Sequence, residues 1–429
     1  MTAIDQTHWK SLPGPDDTSR VELSNGIVVL ARSNFNSPSV VLSGYLNCGS
    51  LFDADSQMGL AAFTAQALTR GTQSHDFQQL FDLLETAGAS LGFSSGTHTT
   101  SFGGRALAED LPLLLELLSK CLRTPTFPSD QVERLKAQIL AYLGIRAQDT
   151  EENAALEFDK ALFAGHPYAR PEEGYPETVA PIQRDDLATF HRQHYGPAGM
   201  VVVVVGAIDT GQATTMIQKV LGDWKNPAQV ALPSLPSVTP LKKTKRVHVP
   251  IAGKSRTDIN LGTFGPKRKS EDYLAASLGN NILGQFGMMG RIGDVVREQA
   301  GLAYHASTSL NAGIDLGTWE VNAGVNPANV ERAIKLIVAE LKRFVNEPVT
   351  QEELQDSQAN FIGRLPIGLE SNSGVANALV NLERFQLGLD YYRRFPEQVQ
   401  QITTAKVLET AQRYIDPKRL VIASSGPEA

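Results

Sequence analysis

Residues 225–243, KNPAQVALPSLPSVTPLKK, constrain the fold more than any other stretch, because they divide the chain near its midpoint. Four prolines among serines and lysines fix φ and remove backbone donors, so the segment cannot join a sheet or a helix and reads as an extended linker. The sequence on either side follows one order twice, which points to an internal duplication. The expected organisation is a first domain over 1–224, a linker over 225–244 and a second domain over 245–429.

In the first half, VELSNGIVVLAR (21–32) reads as a strand interrupted by an Asn25-Gly26 turn, and 39–50 as a second strand. Helical periodicity follows through 57–69 and 76–87. Residues 88–107 alternate and predict one or two strands, and 109–122 and 129–143 predict helices. Asp130 and Glu133 have the spacing of a capping pair. The second half repeats this order, with strands at 258–265, 303–310 and 317–325. Its helices are predicted at 271–284, 293–299, 329–344 and 350–365, the last opening on the capping spacing of Thr350 and Glu353. Each half closes on a strand, 201–206 and 419–425. The fold class is α+β: two homologous domains, each a mostly antiparallel sheet flanked by helices, enclosing a cleft or chamber.

Composition narrows the functions. Of 429 residues, 42% are apolar and 20% charged, and the formal net charge is −7, which argues against nucleic acid or an anionic membrane as partner. Cys48 and Cys121 lie too far apart in sequence for a CxxC motif and suit a reducing compartment. The first twenty residues lack the pattern of a signal peptide, and the longest apolar run, GMVVVVVGAI (199–208), is too short to span a bilayer. The expectation is a soluble cytoplasmic protein.

Chemistry concentrates in GNNILGQFGMMGRIGDVVREQAGLAY (279–304), where glycines stand at 279, 284, 287, 290 and 293. Such density reads as a loop between helices with unusual φ angles. The spacing matches neither GxxxxGK[ST] nor a strand followed by GxGxxG, so it is not a nucleotide loop. Arg297 ends a helix and Tyr304 begins a strand after a Gly301 turn, so chain reversal can bring both to one surface. Together they can hold a peptide carbonyl and donate to a developing oxyanion. Gly284, Phe286, Gly287 and Gly290, with Met288 and Met289, form a candidate substrate loop. His98 is a candidate substrate contact on an edge-like strand, 97–102, where an exposed position is expected.

ILGQFGMMGRIGDVVREQAGLAYHASTSL resembles the second-domain segment of pitrilysin-type zinc metallopeptidases, which carry the inverted HxxEH motif. Further similarity runs through GSLFDADSQMGLAAF, RGTQSHDFQQLFDLLETAGASLGFSSGTHTTSF, LFAGHPYARPEEG and FHRQHYGPAGMVVVVVGAID, so it covers nearly the whole chain. In that family an Arg and a Tyr seven residues apart serve the active site, a spacing that Arg297 and Tyr304 share. Where the family reads GxxHFxEH, however, this chain reads Gly59-Leu60-Ala61-Ala62-Phe63-Thr64-Ala65-Gln66. The zinc histidines correspond to Ala62 and Gln66 and the catalytic glutamate to Ala65. A methyl group cannot coordinate zinc, and no general base is left for a zinc-bound water. The third ligand aligns at Asp159, with Glu152 one face-repeat earlier; both are expected to be solvated helix carboxylates. His191 and His194 have i, i+3 metal spacing but lack a third ligand nearby and are expected on a helix surface.

The resemblance implies a subunit without zinc. Heterodimeric members pair a metal-free chain with an HxxEH-bearing homologue. This chain is thus expected to hold no metal or other cofactor, to bind a peptide substrate, and to supply Arg297 and Tyr304 to a partner chain that carries the zinc. It is expected to be inactive alone. Two alternatives remain: a catalytically inactive scaffold of the same fold, and a homodimer that binds peptides.

Overall fold

The computed structural model describes residues 12–287 and 290–428. Residues 1–11, part of the stretch that lacks a signal-peptide pattern, and Met288 and Met289 lie outside these residues. The chain forms two compact units. One comprises Met1–Gly144, Arg170–Ser234 and Pro366–Arg393; the other comprises Ile145–Ala169, Leu235–Leu365 and Arg394–Ala429.

The first unit is built on six strands, β1 (Ser19–Glu22), β2 (Val28–Ser33), β3 (Ser39–Leu46), β4 (Ser90–Ser95), β5 (Thr100–Leu107) and β6 (Val201–Gly206). Their order is β1-β2-β6-β3-β5-β4. β2 and β6 run parallel, and every other neighbouring pair is antiparallel. The Asn25-Gly26 turn splits the first expected strand into β1 and β2, with Gly26 at φ +88. Four helices follow in chain order: α1 (Leu60–Ala67), α2 (Phe77–Thr86), α3 (Leu111–Arg123) and α4 (Ser129–Arg146). Leu114, Leu118 and Leu122 of α3 join Leu42 of β3 and Val202 and Val204 of β6 in the main core. Every residue of β6 is buried, as a strand of five consecutive valines requires when both sheet faces are covered. The helix Asn372–Arg384 packs against β6 and β3.

The second unit carries β7 (Lys245–Pro250), β8 (Thr257–Gly265), β9 (Ala303–Asn311), β10 (Gly317–Val325) and β11 (Val421–Gly426), in the order β7-β11-β8-β10-β9. β7 and β11 are parallel and the remaining pairs antiparallel. This is the pattern of β2-β6-β3-β5-β4, with the closing strand of each half inserted as its second member. Helix α5 (Thr150–Leu162) packs on β11, β8 and β7, burying Phe158, Ala161 and Leu162 against Val421 and Ala423. Each sheet therefore takes a covering helix from the other half of the sequence. Hydrophobic periodicity shows that a helix has a face to bury; it does not name the sheet that receives it.

Residues 225–243 contain no strand or helix. The Thr350/Glu353 box forms reciprocally: Glu353 N donates to Thr350 Oγ1 at 3.1 Å and Thr350 N to Glu353 Oε2 at 2.8 Å. The matching expectation for Asp130 and Glu133 fails, because α4 already begins at Ser129 and Glu133 pairs with Lys136 instead. Both cysteines are free and buried, and burial pushes the Cys121 thiol up to about 12. Among the described residues no helix is long and apolar enough to cross a membrane.

Candidate functional site

Helix α1 starts from Gly59, whose φ of +96 is left-handed. A Cβ there would stand 2.6 Å from the Glu173 carbonyl oxygen, so a glycine is required both for the angle and for the space. The buried Asp53 carboxylate caps the helix, accepting from Gly59 N at 3.0 Å and from Ala61 N at 2.9 Å. Burial pushes its pKa up to about 7, although the backbone donors pull the other way. The native state therefore holds a proton more tightly than the unfolded chain between about pH 4 and pH 7. The Asp53 contribution to stability is greatest below that window and falls as pH rises through it. Urea unfolding midpoints at pH 5 and pH 8 should show this decline in the parent protein and a smaller one in Asp53→Asn.

Ala62 and Ala65 are buried on α1, and Gln66 is exposed. Ala62 and Gln66 line a cavity of about 180 Å³ with Gln138 and Tyr142 of α4 and with Glu173. The side chains facing the motif thus come from α4 and the 173 turn. Asp159 and Glu152 lie on α5, in the second unit, and do not line this cavity. The sequence alignment of the third ligand to Asp159 is corrected accordingly; the i, i+4 spacing of Gln138 and Tyr142 was the available signal. The donor set does not fit zinc. It offers two amides, one phenol and one carboxylate, no imidazole, and a methyl at two of the three motif positions.

Three histidines sit differently from expectation. His98 is buried at 9% exposure, in the turn between β4 and β5 rather than on a strand. That turn is tied down by Ser50 N donating to Gly96 O at 3.0 Å and Leu51 N to Thr97 O at 3.1 Å. His191 and His194 are not surface residues. His191 Nε2 bonds Leu122 O at 2.8 Å, and its ring stacks on Tyr195. His194 stacks on Phe52 at 4.1 Å. Burial lowers the pKa of both.

In the second unit the glycines divide into two kinds. Gly279 and Gly284 belong to the helix Tyr273–Gly284, not to a loop. A Cβ on Gly284 would meet Thr308 at 2.5 Å, so this glycine permits helix-to-strand packing. Gly287 and Gly290 have φ of +60 and +61, and Gly290 begins the short helix Gly290–Gly293. Phe286 is 39% exposed beside them. Arg291 fastens the far side, with Nε and Nη2 each 2.6 Å from the Glu353 carboxylate.

Arg297 lies in a π-helical turn, Asp294–Glu298, marked by Gln299 N donating to Asp294 O at 2.9 Å. Such widened turns often accompany functional side chains. The next segment turns through Gly301 at φ +63 into β9, an edge strand. The pairing of β9 with β10 shifts there: His305 faces Gly324 and Ala303 faces Val325, leaving Tyr304 on a bulge. Its side chain is 74% exposed. The Arg297 turn packs against β9, but among the described residues the two side chains do not hydrogen-bond each other. The Arg297 guanidinium is partly exposed, with Nε 3.7 Å from Glu298 Oε1.

Residues 28–172 match the family model for insulinase (peptidase family M16), and residues 181–361 match that for the peptidase M16 inactive domain. An uncharacterised zinc protease of Mycobacterium tuberculosis is 25% identical over 417 residues, 95% of this chain and 93% of that one. A non-peptidase homologue of Helicobacter pylori is 25% identical over 380 residues, covering 87% and 86%. A crystal structure of a peptidase M16 inactive domain from Pseudomonas fluorescens superimposes with a TM-score of 0.87 at 26% identity, over 96% of this chain and 98% of that one. Two M16 models in the expected order, the matching fold and the frame of a zinc helix without its ligands make this chain a member of peptidase family M16.

Proposed function

We propose that this protein is the subunit without zinc of a two-chain M16 peptidase. Arg297 and Tyr304 are provided to an HxxEH-bearing homologue that holds the metal. The observation that carries this reading is the presentation of Tyr304: a tyrosine on a bulge of an edge strand, 74% exposed, beside the π-helical turn of Arg297. An extended peptide pairs with an exposed sheet edge. Arg297 orients the chain, and the Tyr304 hydroxyl donates to the carbonyl oxygen as negative charge builds there. The substitutions at Ala62, Ala65 and Gln66 remove zinc chemistry from the first unit without disturbing its packing, since Ala62 and Ala65 are buried in a capped helix.

The test uses the purified chain alone, a zinc-bearing M16 homologue from the same source alone, and the two together. Peptide cleavage and zinc content are measured for each. The mixture should cleave much faster than either chain, and this chain alone should not cleave. Cleavage by this chain alone that a chelator abolishes, or a mixture no faster than the homologue alone, would overturn the reading. The second result would favour a scaffold role.

A further inference from the structure

A second cluster of metal-ligating side chains lies within the second unit. Asp258 of β8 is only 2% exposed. Its Oδ2 accepts from Thr150 Oγ1 at 2.5 Å and from Arg256 Nε at 2.8 Å. Its Oδ1 is buried and has no hydrogen-bond partner. A buried carboxylate oxygen left without a donor is costly and rare in native proteins. That oxygen keeps an acceptor direction which a hydrogen-bond donor or a cation would satisfy.

The strand register shows what faces it. Gly324 of β10 lies opposite Asp258 on one side and opposite His305 of β9 on the other. The three positions form a row across one face of the sheet, with the glycine in the middle. A Cβ on Gly324 would fall 2.9 Å from Asp258 Oδ1 and 3.0 Å from His305 Nδ1. Any larger residue at 324 would fill the space between the carboxylate and the imidazole. Glu151, in the first turn of α5, closes the third side. One ligand atom from each of Glu151, Asp258 and His305 lies within 4.8 Å of the others.

We propose that Glu151, Asp258 and His305 bind one divalent first-row transition cation, of the zinc or manganese type. The donor set of two carboxylates and one imidazole suits these ions. It supplies too few oxygens for calcium. Donors on one such ion at about 2.1 Å stand roughly 3–4 Å apart, so a small rotation of the exposed Glu151 side chain completes the set. The ion satisfies the orphaned Oδ1. Arg256 already neutralises Oδ2 and stands 3.7 Å from Glu151 Oε2, which tempers the affinity without blocking the open side of Asp258. The site is separate from the degenerate motif at Ala62, Ala65 and Gln66 and needs no partner chain. It joins α5 to β8 and β9, so the bound ion acts as a clip between a helix from the first half of the sequence and the sheet it covers.

The test titrates the full chain, freed of any tag and stripped with a chelator, with zinc chloride and separately with manganese chloride by calorimetry. One ion per chain should bind, and thermal unfolding should shift upward by a few degrees at saturating metal. His305→Ala should weaken binding by about 100-fold or more, and Glu151→Gln by about 10-fold or more. Asp258 is buried and its replacement endangers the fold, so these two more accessible positions carry the test, with circular dichroism confirming that each variant is folded. Absence of stoichiometric binding, or equally tight binding by both folded variants, would overturn the proposal.

Discussion

Replacing Tyr304 by phenylalanine should lower turnover of the two-chain peptidase by about 100- to 1,000-fold, the usual effect of removing one oxyanion donor. The loss should fall on kcat, with KM and the association of the subunits nearly unchanged. Tyr304 makes this substitution unusually clean. The side chain is 74% exposed and, among the described residues, its hydroxyl holds no internal partner, so phenylalanine removes an oxygen the folded chain does not use. The reading fails if kcat is unaltered in a complex shown to be assembled. A scaffold subunit would give that result, because its interface does not depend on one exposed hydroxyl.

Replacing Arg291 by alanine should destabilise the second unit by about 2–4 kcal/mol, below the full cost of breaking a buried ion pair because Glu353 keeps some solvent contact. The Arg291 side chain is 11% exposed and grips Glu353 through two nitrogens; a third nitrogen stands 3.7 Å from the buried Glu340. Alanine leaves both carboxylates short of positive charge, although Arg343 still pairs with Glu340 at 2.8 Å. Burial raises the Glu353 pKa, but Arg291 and the Thr350 cap outweigh it and hold the net value below the ordinary glutamate range. A depressed carboxyl stabilises fully above its unfolded pKa and loses that contribution as pH falls through the folded value. The cost of Arg291→Ala should thus be largest near neutrality and shrink in acid. Urea unfolding at pH 7 and pH 3.5 checks the energy, and hydrogen exchange over 290–300 checks the local loosening. A cost below about 0.5 kcal/mol at pH 7, the scale of an ordinary surface substitution, would refute the anchoring role.

The sequence and the structure agree best where local chemistry decides. The alternation of 88–107 resolves into β4 and β5, and the Asn25-Gly26 turn into the β1–β2 hairpin, because periodicity and turn residues act over a few positions. They diverge where distant segments meet. The histidines at 191 and 194 read as a polar helix surface, yet aromatic neighbours from other segments, Phe127 and Phe52, cover them. The five glycines read as one loop, but Gly279 lies inside a helix, where a Cβ would stand 3.2 Å from both Phe344 and Val407. His98 reads as an exposed strand residue, whereas the loop after Cys48 folds over its turn.

The sequence by itself determined that this chain repeats one α+β plan twice and that α1 cannot bind zinc. The first follows from the element order that recurs on either side of the proline-rich linker, and the second from residue identity, since a methyl group has no lone pair wherever it is placed. Only the tertiary structure decided which sheet α5 covers, that Tyr304 stands out on a bulge, and that Glu151, Asp258 and His305 converge. Those results depend on strand register and on docking across more than a hundred residues, and no local spacing carries that information.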